Sequence, residues 1–133
     1  MQKCLALLLL SFSLWLNLKS QPTFGTKSYI SFESGAFTIT AEGRSAPFLV
    51  SSKEWPGVIR AFKDLQTDIG KVTSSLPEIK TDQIPESKEI IIAGTIGKSP
   101  LIDEMIRKKK LTVNDISGKW EAFSIQIVRK PMK

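Results

Sequence analysis

Histidine is absent from this sequence of 133 residues, and cysteine occurs only once, at Cys4. Cys4 lies in an apolar amino-terminal stretch that we predict to be removed on export. The rest of the chain therefore cannot bind zinc in the usual way, use a cysteine nucleophile, or activate a serine with imidazole. Disulfides, which often stabilise small exported domains, are excluded as well. Any chemistry would depend on carboxylates, lysines and hydroxyls, and we predict no catalytic residue, no metal and no cofactor.

Acidic residues are also absent before Glu33, and the same region contains an apolar run from Leu5 to Leu10 that continues to Leu18. Lys3 precedes this run. The pattern predicts a signal peptide at residues 1–20 and an exported protein, periplasmic or extracellular. A membrane anchor is the alternative, although the run falls short of the roughly 20 residues that a spanning helix usually needs. We expect contact with a membrane only through the export signal.

The basic excess of the chain is modest. There are 19 Lys and Arg against 13 Asp and Glu, a net charge of +6, and loss of Lys3 and Lys19 with the signal peptide leaves 17 against 13, or +4. Such a charge keeps a small domain soluble without indicating a nucleic-acid partner. Residues 107–110 form one dense basic cluster where a predicted helix ends, as the helix dipole favours. We predict no nucleic-acid partner, with a polyanion site at this cluster as the alternative.

A strand, turn, helix and second strand are predicted between residues 89 and 128. The β-branched run at residues 90–92 suits a strand buried on both faces of a sheet with parallel neighbours. Glycines then mark a turn, and Ser99 with Pro100 is typical of a helix start, here a helix at residues 100–110. Apolar and polar residues alternate at 121–128, which predicts a half-buried strand.

A longer helix is predicted at residues 53–73, with Ser51 or Ser52 as its N-cap. Its apolar positions recur every three or four residues and predict a face packed on a sheet. These positions are Trp55, Val58, Ile59, Phe62, Leu65, Ile69 and Val72. Before this helix, residues 29–32 and 37–40 favour strand, and residues 46–50 a second strand after a turn at Gly43. Pro47 indicates an edge position for this hairpin, because proline cannot donate to a ladder. Residues 76–79 favour a further short strand, followed by surface loop.

Together these elements predict an α/β fold. A mixed β-sheet would be covered by two main helices, 53–73 and 100–110, with an amino-terminal β-hairpin at the sheet edge. The predicted organisation is a signal peptide at 1–20, a leader with little fixed structure at 21–28, and an α/β domain at 29–133.

Three features could carry chemistry. The loop at residues 94–99 ends in Gly-Lys-Ser as a phosphate-binding loop does, but Ile92 stands where the first glycine should be, so we interpret it as a tight turn and predict no nucleotide. The carboxylates between residues 78 and 89 could form an acid and base pair, although sequence spacing does not give their separation, and a solvated acidic loop is the simpler interpretation. Trp55 and Trp120 could stack on a sugar if exposed, but we predict that both pack in the core.

Four blocks of sequence carry a resemblance to a known family. They are Ala46-Pro47; Glu54-Trp55-Pro56-Gly57-Val58 with Ala61 and residues 64–69; residues 92–103, Ile-Ala-Gly-Thr-Ile-Gly-Lys-Ser-Pro-Leu-Ile-Asp; and residues 118–123, Gly-Lys-Trp-Glu-Ala-Phe. In order and approximate spacing they resemble the opening domain of the glycoside hydrolase family 115 α-glucuronidases.

The resemblance implies a large exported enzyme that removes 4-O-methylglucuronic acid from glucuronoxylan by inverting hydrolysis. It implies that the catalytic residues lie in a TIM-type barrel after this domain. Because the sequence stops before such a barrel, we expect a non-catalytic fragment that meets glucuronoxylan only through the missing domains. A stand-alone exported module that binds carbohydrate or another partner is the alternative, and Trp120 is its best candidate for contact with a polysaccharide.

Overall fold

The computed structural model describes residues 35–132, and the residues from Phe37 onward belong to one compact unit. Within it are five short strands and two helices. In chain order they are β1 (Thr40–Ala41), β2 (Arg44–Ser45), β3 (Phe48–Val50), α1 (Pro56–Thr73), β4 (Ile79–Thr81), β5 (Ile91–Ala93) and α2 (Pro100–Arg107). The predicted signal peptide at 1–20, the leader at 21–28 and the strand at 29–32 lie outside the described residues. No helix among residues 35–132 is long and apolar enough to cross a membrane.

The main sheet has three parallel strands in the order β4-β3-β5. Phe48 of β3 lies opposite Ile79 of β4 on one side and Ile91 of β5 on the other. A separate antiparallel pair, β1 with β2, makes the sheet content mixed. The predicted α/β class, with two main helices and strands that have parallel neighbours, is therefore confirmed.

The core lies between α1 and one face of the parallel sheet. The rings of Phe48 and Phe62 are stacked, with centroids 4.4 Å apart and planes inclined by 24°. Val50 completes the buried cluster. Around it pack partly buried apolar side chains from both elements, namely Ile59, Ile69, Ile79, Ile91 and Ala93. Because side chains alternate along a strand, Leu49 points to the other face, and it is buried as well.

The central position of β3 corrects one prediction. Residues 46–50 were expected to pair with residues 37–40 as an edge hairpin, but the hairpin consists of β1 and β2, and β3 lies in the middle of the parallel sheet. Pro47 does not conflict with this position, because it precedes β3 and takes part only as an acceptor, from the amide of Ile91.

The start of α1 is also different from the prediction. The helix begins at Pro56, with Trp55 as N-cap and no side-chain cap, whereas Ser51 and Ser52 had been expected to cap it. The Ser51 hydroxyl instead accepts a hydrogen bond from the amide of Lys53. Proline at the first helical position removes one of the amides left unpaired at a helix start, and the amide of Val58 donates to the carbonyl of Trp55 at 3.0 Å. Of the predicted apolar face, Phe62, Ile59 and Ile69 contact the core, whereas Trp55, Leu65 and Val72 are exposed.

The second helix ends three residues before the predicted boundary at residue 110. Lys109 has a left-handed backbone with φ of 56°, and the amides of Lys109 and Lys110 donate to the carbonyls of Ile106 and Met105. This bonding pattern is a Schellman motif, which satisfies the last carbonyls and terminates the helix. The basic cluster at 107–110 thus lies at a helix end, as predicted, and Lys108 pairs with Glu104 at 2.8 Å.

The strand predicted at residues 121–128 is wrong. The structure places these residues in an irregular segment with no ladder partner among the described residues, and Phe123, Ile125 and Ile127 are exposed. Alternation alone predicts the face that each side chain takes, but a strand also needs a neighbour for its amides and carbonyls.

We expect Phe62→Ala to lower the free energy of unfolding by about 3 kcal/mol, because it removes the ring stacked on Phe48 and leaves a cavity under α1. Urea denaturation followed by circular dichroism measures the change. Val72→Ala is the matched control, since Val72 lies on the same helix with an exposed side chain and should change stability by less than about 0.5 kcal/mol. Equal losses in the two variants would contradict the position of the core.

Candidate functional site

The carboxyl ends of the three parallel strands meet at one edge of the sheet, where open α/β sheets commonly place their sites. The loop after β3 contains Glu54 and Trp55, the loop after β5 contains Thr95 and Lys98, and Asp82 follows β4 directly. We call these five residues the carboxyl-edge cluster.

Glu54 is the centre of the carboxyl-edge cluster. Its side chain is only 4% exposed, and its carboxylate joins the loops after β3 and β5. The amide of Thr95 donates to Oε2 at 2.7 Å, and the hydroxyl of Thr95 donates to Oε1 at 2.7 Å. The amide of Trp55 donates to Oε1 at 2.9 Å. Three donors thus hold one buried carboxylate, and two of them belong to Thr95, which lies 41 residues further along the chain.

The environment of Glu54 favours its ionised form. Burial raises the pKa of Glu54, but the hydrogen bonds from Thr95 and Trp55 and the positive charge of Lys98 outweigh it, so the pKa lies below its ordinary value. A general acid near neutral pH would need a raised pKa. Glu54 is therefore suited to fixing the two loops rather than to transferring a proton.

Trp55 and Lys98 form the outer part of the carboxyl-edge cluster. The Nζ atom of Lys98 lies 4.4 Å from the centre of the Trp55 ring, a cation–π contact. The Trp55 side chain is 55% exposed, so the prediction that it packs in the core is wrong. The reason is its place at the N-cap of α1, where the side chain precedes the turn that contacts the sheet.

The loop at residues 94–99 is a tight turn, as its sequence predicted. The amides of Lys98 and Ser99 donate to the carbonyl of Thr95, and the amide of Gly97 donates to Oδ1 of Asp103 at 2.7 Å. The amides of Gly97, Lys98 and Ser99 are therefore engaged within the protein. Gly97 has a φ of 77°, which glycine adopts without strain.

Two further features of this loop differ from a simple capped helix. Ser99 is at the N-cap position of α2 and is buried, but its hydroxyl makes no capping bond. A Cβ atom at Gly94 would lie 2.6 Å from side-chain atoms of Ile102 and Ser99, so only glycine allows α2 to approach the end of β5 this closely.

The carboxylates between residues 78 and 89 make separate contacts and do not form a pair in the described chain. Asp82 accepts a hydrogen bond from the amide of Ser52 at 3.0 Å, and hydrogen bonding by the side chain and then the amide of Ser52 holds the pKa of Asp82 below its ordinary value. Glu78 pairs with Lys80 at 2.6 Å, while Glu86 is exposed without a carboxylate partner among the described residues. No group of acidic side chains in residues 35–132 is arranged to hold a metal ion. The acidic loop is thus a solvated surface with one structural contact, at Asp82.

Trp120 lies outside the carboxyl-edge cluster and is 89% exposed, so the prediction that it packs in the core is wrong. It follows a turn at Gly118 in the irregular segment, where no element of the described chain covers it. A small cavity lies between α2 and residues 131–132, with Met105 and Met132 in its lining. Its volume of about 90 Å³ is well below the roughly 300 Å³ of small ligand sites, so it is not a sugar pocket.

The partnership of Glu54 with Thr95 was not anticipated from the sequence. One signal was present, since Glu54 follows a buried strand and Thr95 follows its parallel neighbour, and such loops share an edge. The sequence does not indicate that the Glu54 side chain turns into the space between the loops after β3 and β5 rather than towards solvent.

We expect Glu54→Gln to lower the free energy of unfolding at pH 7 by about 2 kcal/mol, because an NH₂ group replaces one oxygen and leaves a donor of Thr95 or Trp55 without an acceptor. The pKa of Glu54 is lower in the folded than in the unfolded chain. Its ionised form therefore stabilises the fold above the unfolded pKa, and this contribution is lost as the pH falls through the folded pKa. The difference in the free energy of unfolding between the wild type and Glu54→Gln should thus become smaller as the pH is lowered.

Urea denaturation at a series of pH values measures this difference. Glu42→Gln is the matched control, because the Glu42 side chain is 83% exposed and its one ion pair, with Arg44, is on the surface. A Glu54→Gln effect as small as that of the control, or one that does not change with pH, would contradict the role of the buried carboxylate.

No protein-family model matches this chain, and no curated protein matches its sequence. The likeness to the family 115 α-glucuronidases consequently stays a prediction that depends on four short blocks of residues. A functional proposal therefore starts from the fold and the carboxyl-edge cluster.

Proposed function

We propose that the chain is the non-catalytic amino-terminal α/β domain of an exported xylan α-1,2-glucuronidase, an enzyme that removes 4-O-methylglucuronic acid from glucuronoxylan. In this proposal the catalytic groups belong to a barrel that follows the domain. The domain itself supplies a folded surface on which the rest of the enzyme is assembled. Its contact with glucuronoxylan is made through those further domains.

One observation carries the proposal. The four blocks that resemble the family are dispersed in sequence, and the hydrogen bonds from Thr95 to Glu54 join the second block to the third. Glycine at position 94, within the third block, permits the close approach of α2 to β5. Residues of the second and third blocks are therefore those that hold this edge of the sheet together, which supports a shared domain architecture rather than chance similarity of single motifs.

The chemistry of the described residues favours a supporting role. Glu54, the most buried carboxylate in the cluster, has a lowered pKa and accepts hydrogen bonds from Thr95 and Trp55. The acidic side chains between residues 78 and 89 are dispersed, with Glu78 paired to Lys80 and Asp82 bonded to the amide of Ser52. A domain built in this way is suited to packing and positioning.

The proposal is tested by joining this domain, residues 29–133, to the barrel and later domains of a family 115 α-glucuronidase in place of that enzyme's own first domain. We expect the chimera to be soluble and to release 4-O-methylglucuronic acid from glucuronoxylan, while the chain alone releases none. The control carries an unrelated α/β domain of similar length at the same position. Release by the chain alone, or a chimera no better than the control, would overturn the proposal.

The nucleotide sequence after the codon for Lys133 offers an independent check. An open frame, or a single frameshift, that leads into barrel-like sequence is the expected result. Downstream sequence without any such segment would count against a larger glucuronidase.

A second candidate function is carbohydrate binding by the chain itself, and the exposure of Trp120 favours it. Exposed aromatic rings can stack on sugar rings, and Trp120 lies away from the cation–π pair of Trp55 and Lys98. The two tryptophans can therefore be tested separately.

If the chain is a binding module, Trp120→Ala should reduce the fraction retained on insoluble xylan by about tenfold, as loss of one stacking contact of 1–2 kcal/mol implies. Trp55→Ala is the matched control for removing an exposed indole. Sedimentation of the chain with washed xylan, followed by quantification of the bound fraction, measures the effect. No retention of the wild type would exclude this function, and equal retention of the wild type and Trp120→Ala would exclude Trp120 as its contact.

A further inference from the structure

The residues that follow α2 form a loop that is both apolar and basic, and we call residues 108–130 the basic-apolar loop. Four large apolar side chains are exposed within eight consecutive residues of this loop. Their exposed fractions are 89% for Trp120, 71% for Phe123, 65% for Ile125 and 72% for Ile127. Such a concentration of exposed apolar side chains on a small domain commonly marks an interaction site.

Side-chain hydrogen bonds join the two ends of the basic-apolar loop. The side-chain amide of Gln126 donates to the carbonyl of Thr112 at 2.6 Å and accepts from the amide of Thr112 at 3.1 Å. The Nζ atom of Lys110 donates to the carbonyl of Lys130 at 2.6 Å. The start and the end of the loop are therefore adjacent to each other and to the end of α2, and the exposed apolar residues belong to the stretch between them.

The backbone of the basic-apolar loop does not favour pairing with another strand. Glu121 and Lys130 have left-handed backbones, with φ of 52° and 53°, and Gly118 has a φ of 72°. Turns therefore bound the apolar stretch on both sides, and residues 122–128 belong to no strand. Strand pairing needs a defined register, whereas a lipid surface does not, so a lipid surface is compatible with this irregular backbone.

Positive charge is concentrated on the same loop. Residues 108–130 contain six Lys and Arg against two Asp and Glu, a net charge of +4, whereas residues 35–107 contain nine against ten, a net charge of −1. Lys108 is paired with Glu104. The exposed cations of the loop that take part in no ion pair among the described residues are Lys109, Lys119, Arg129 and Lys130. Unpaired positive charge therefore lies beside the exposed apolar side chains.

This combination favours an anionic lipid surface over a soluble polyanion. The phosphates of anionic lipids attract nearby Lys and Arg, and the acyl chains below them accept apolar side chains. A nucleic acid or an acidic polysaccharide would satisfy the cations, but it would not cover aliphatic side chains such as Ile125 and Ile127. Tryptophan is enriched at the interface between membrane and water, where its ring is in apolar surroundings and its N–H can still hydrogen-bond.

We propose that the basic-apolar loop docks on an anionic phospholipid surface, with its four exposed apolar side chains inserted at the interface and its exposed cations on the lipid phosphates. Insertion stops at the interface, because an irregular backbone needs water for its amides and carbonyls. This contact is additional to the one expected of the export signal. It does not depend on the glucuronidase assignment, since it needs neither xylan nor a second domain.

The test measures the fluorescence of Trp120 in the full chain, because the apolar amino-terminal run can bind vesicles by itself. Trp15→Phe with Trp55→Phe leaves Trp120 as the only indole. With vesicles of phosphatidylcholine and about 30% phosphatidylglycerol, we expect the Trp120 emission to shift to the blue and to be quenched by brominated acyl chains. Bromine near the headgroup end of the acyl chain should quench more than bromine near the methyl end, and vesicles of phosphatidylcholine alone should give much weaker quenching.

The chain with Trp15→Phe and Trp120→Phe, which keeps only Trp55, is the matched control, and its emission should not be quenched because Trp55 lies outside the loop.

Two pairs of variants of the chain that keeps only Trp120 test the charges and the apolar side chains. Arg129→Glu with Lys130→Glu should raise the lipid concentration at half-maximal quenching by about twentyfold or more, at about fivefold for each basic residue lost. Arg60→Glu with Lys63→Glu makes the same charge change at exposed positions of α1 and should have little effect. Ile127→Ser should raise that concentration by about fivefold, whereas Val72→Ser, which alters a similarly exposed branched side chain on α1, should not.

Circular dichroism confirms that each variant is folded. Three results would each overturn the proposal: a Trp120 emission that vesicles leave unquenched, equal quenching by neutral and anionic vesicles, or equal effects of the loop variants and their α1 controls. Binding to heparin that is lost in Arg129→Glu with Lys130→Glu, while vesicles leave Trp120 unquenched, would assign the cations to a soluble polyanion and would also overturn it.

Discussion

The buried carboxylate of Glu54 is the interaction on which the arrangement of the sheet edge depends. A lone ionised group in this position would be costly, and it is stable because three donors from two loops surround it and Lys98 lies nearby. The same bonds fix the exit of β3 relative to that of β5. The start of α1 at Pro56 and the approach of α2 through Gly94 both follow from where those loops are held.

The rest of the fold consists of short strands around a small core. Three strands of three residues each form the parallel sheet, and one pair of stacked rings, Phe48 on Phe62, provides the centre of the core. Parallel strands are normally covered on both faces, and β3 satisfies this rule along its whole length, while β4 and β5 remain only partly buried. A core this small gives only a modest free energy of unfolding. Each buried polar contact at its margin therefore contributes a larger share of that free energy.

The sequence predicted the elements whose signal is local. Periodicity and Pro100 located α2, and the apolar run at 90–92 led to a strand with parallel neighbours, as β5 is. Predictions failed where the outcome depends on which partner is present. Apolar and polar residues alternate at 121–128, but these residues have no partner strand in the described chain. Strand β3 is central rather than at an edge because its two neighbours, β4 and β5, come later in the sequence. The exposure of Trp55 and Trp120 and the inward turn of Glu54 depend equally on such tertiary neighbours.

The attachment of Gln126 to the main chain of Thr112 has a consequence for how the protein opens. The side-chain amide of Gln126 attaches the segment through one accepted and one donated bond, and the Nζ atom of Lys110 donates to the carbonyls of Lys130 and Pro131 just beyond it, where a strand would use a row of backbone bonds. Release of residues 120–129 therefore does not require β3, β4 or β5 to separate, so local opening there is decoupled from global unfolding. The backbone amides of residues 120–129 should therefore exchange with solvent much faster than those of β3, β4 and β5.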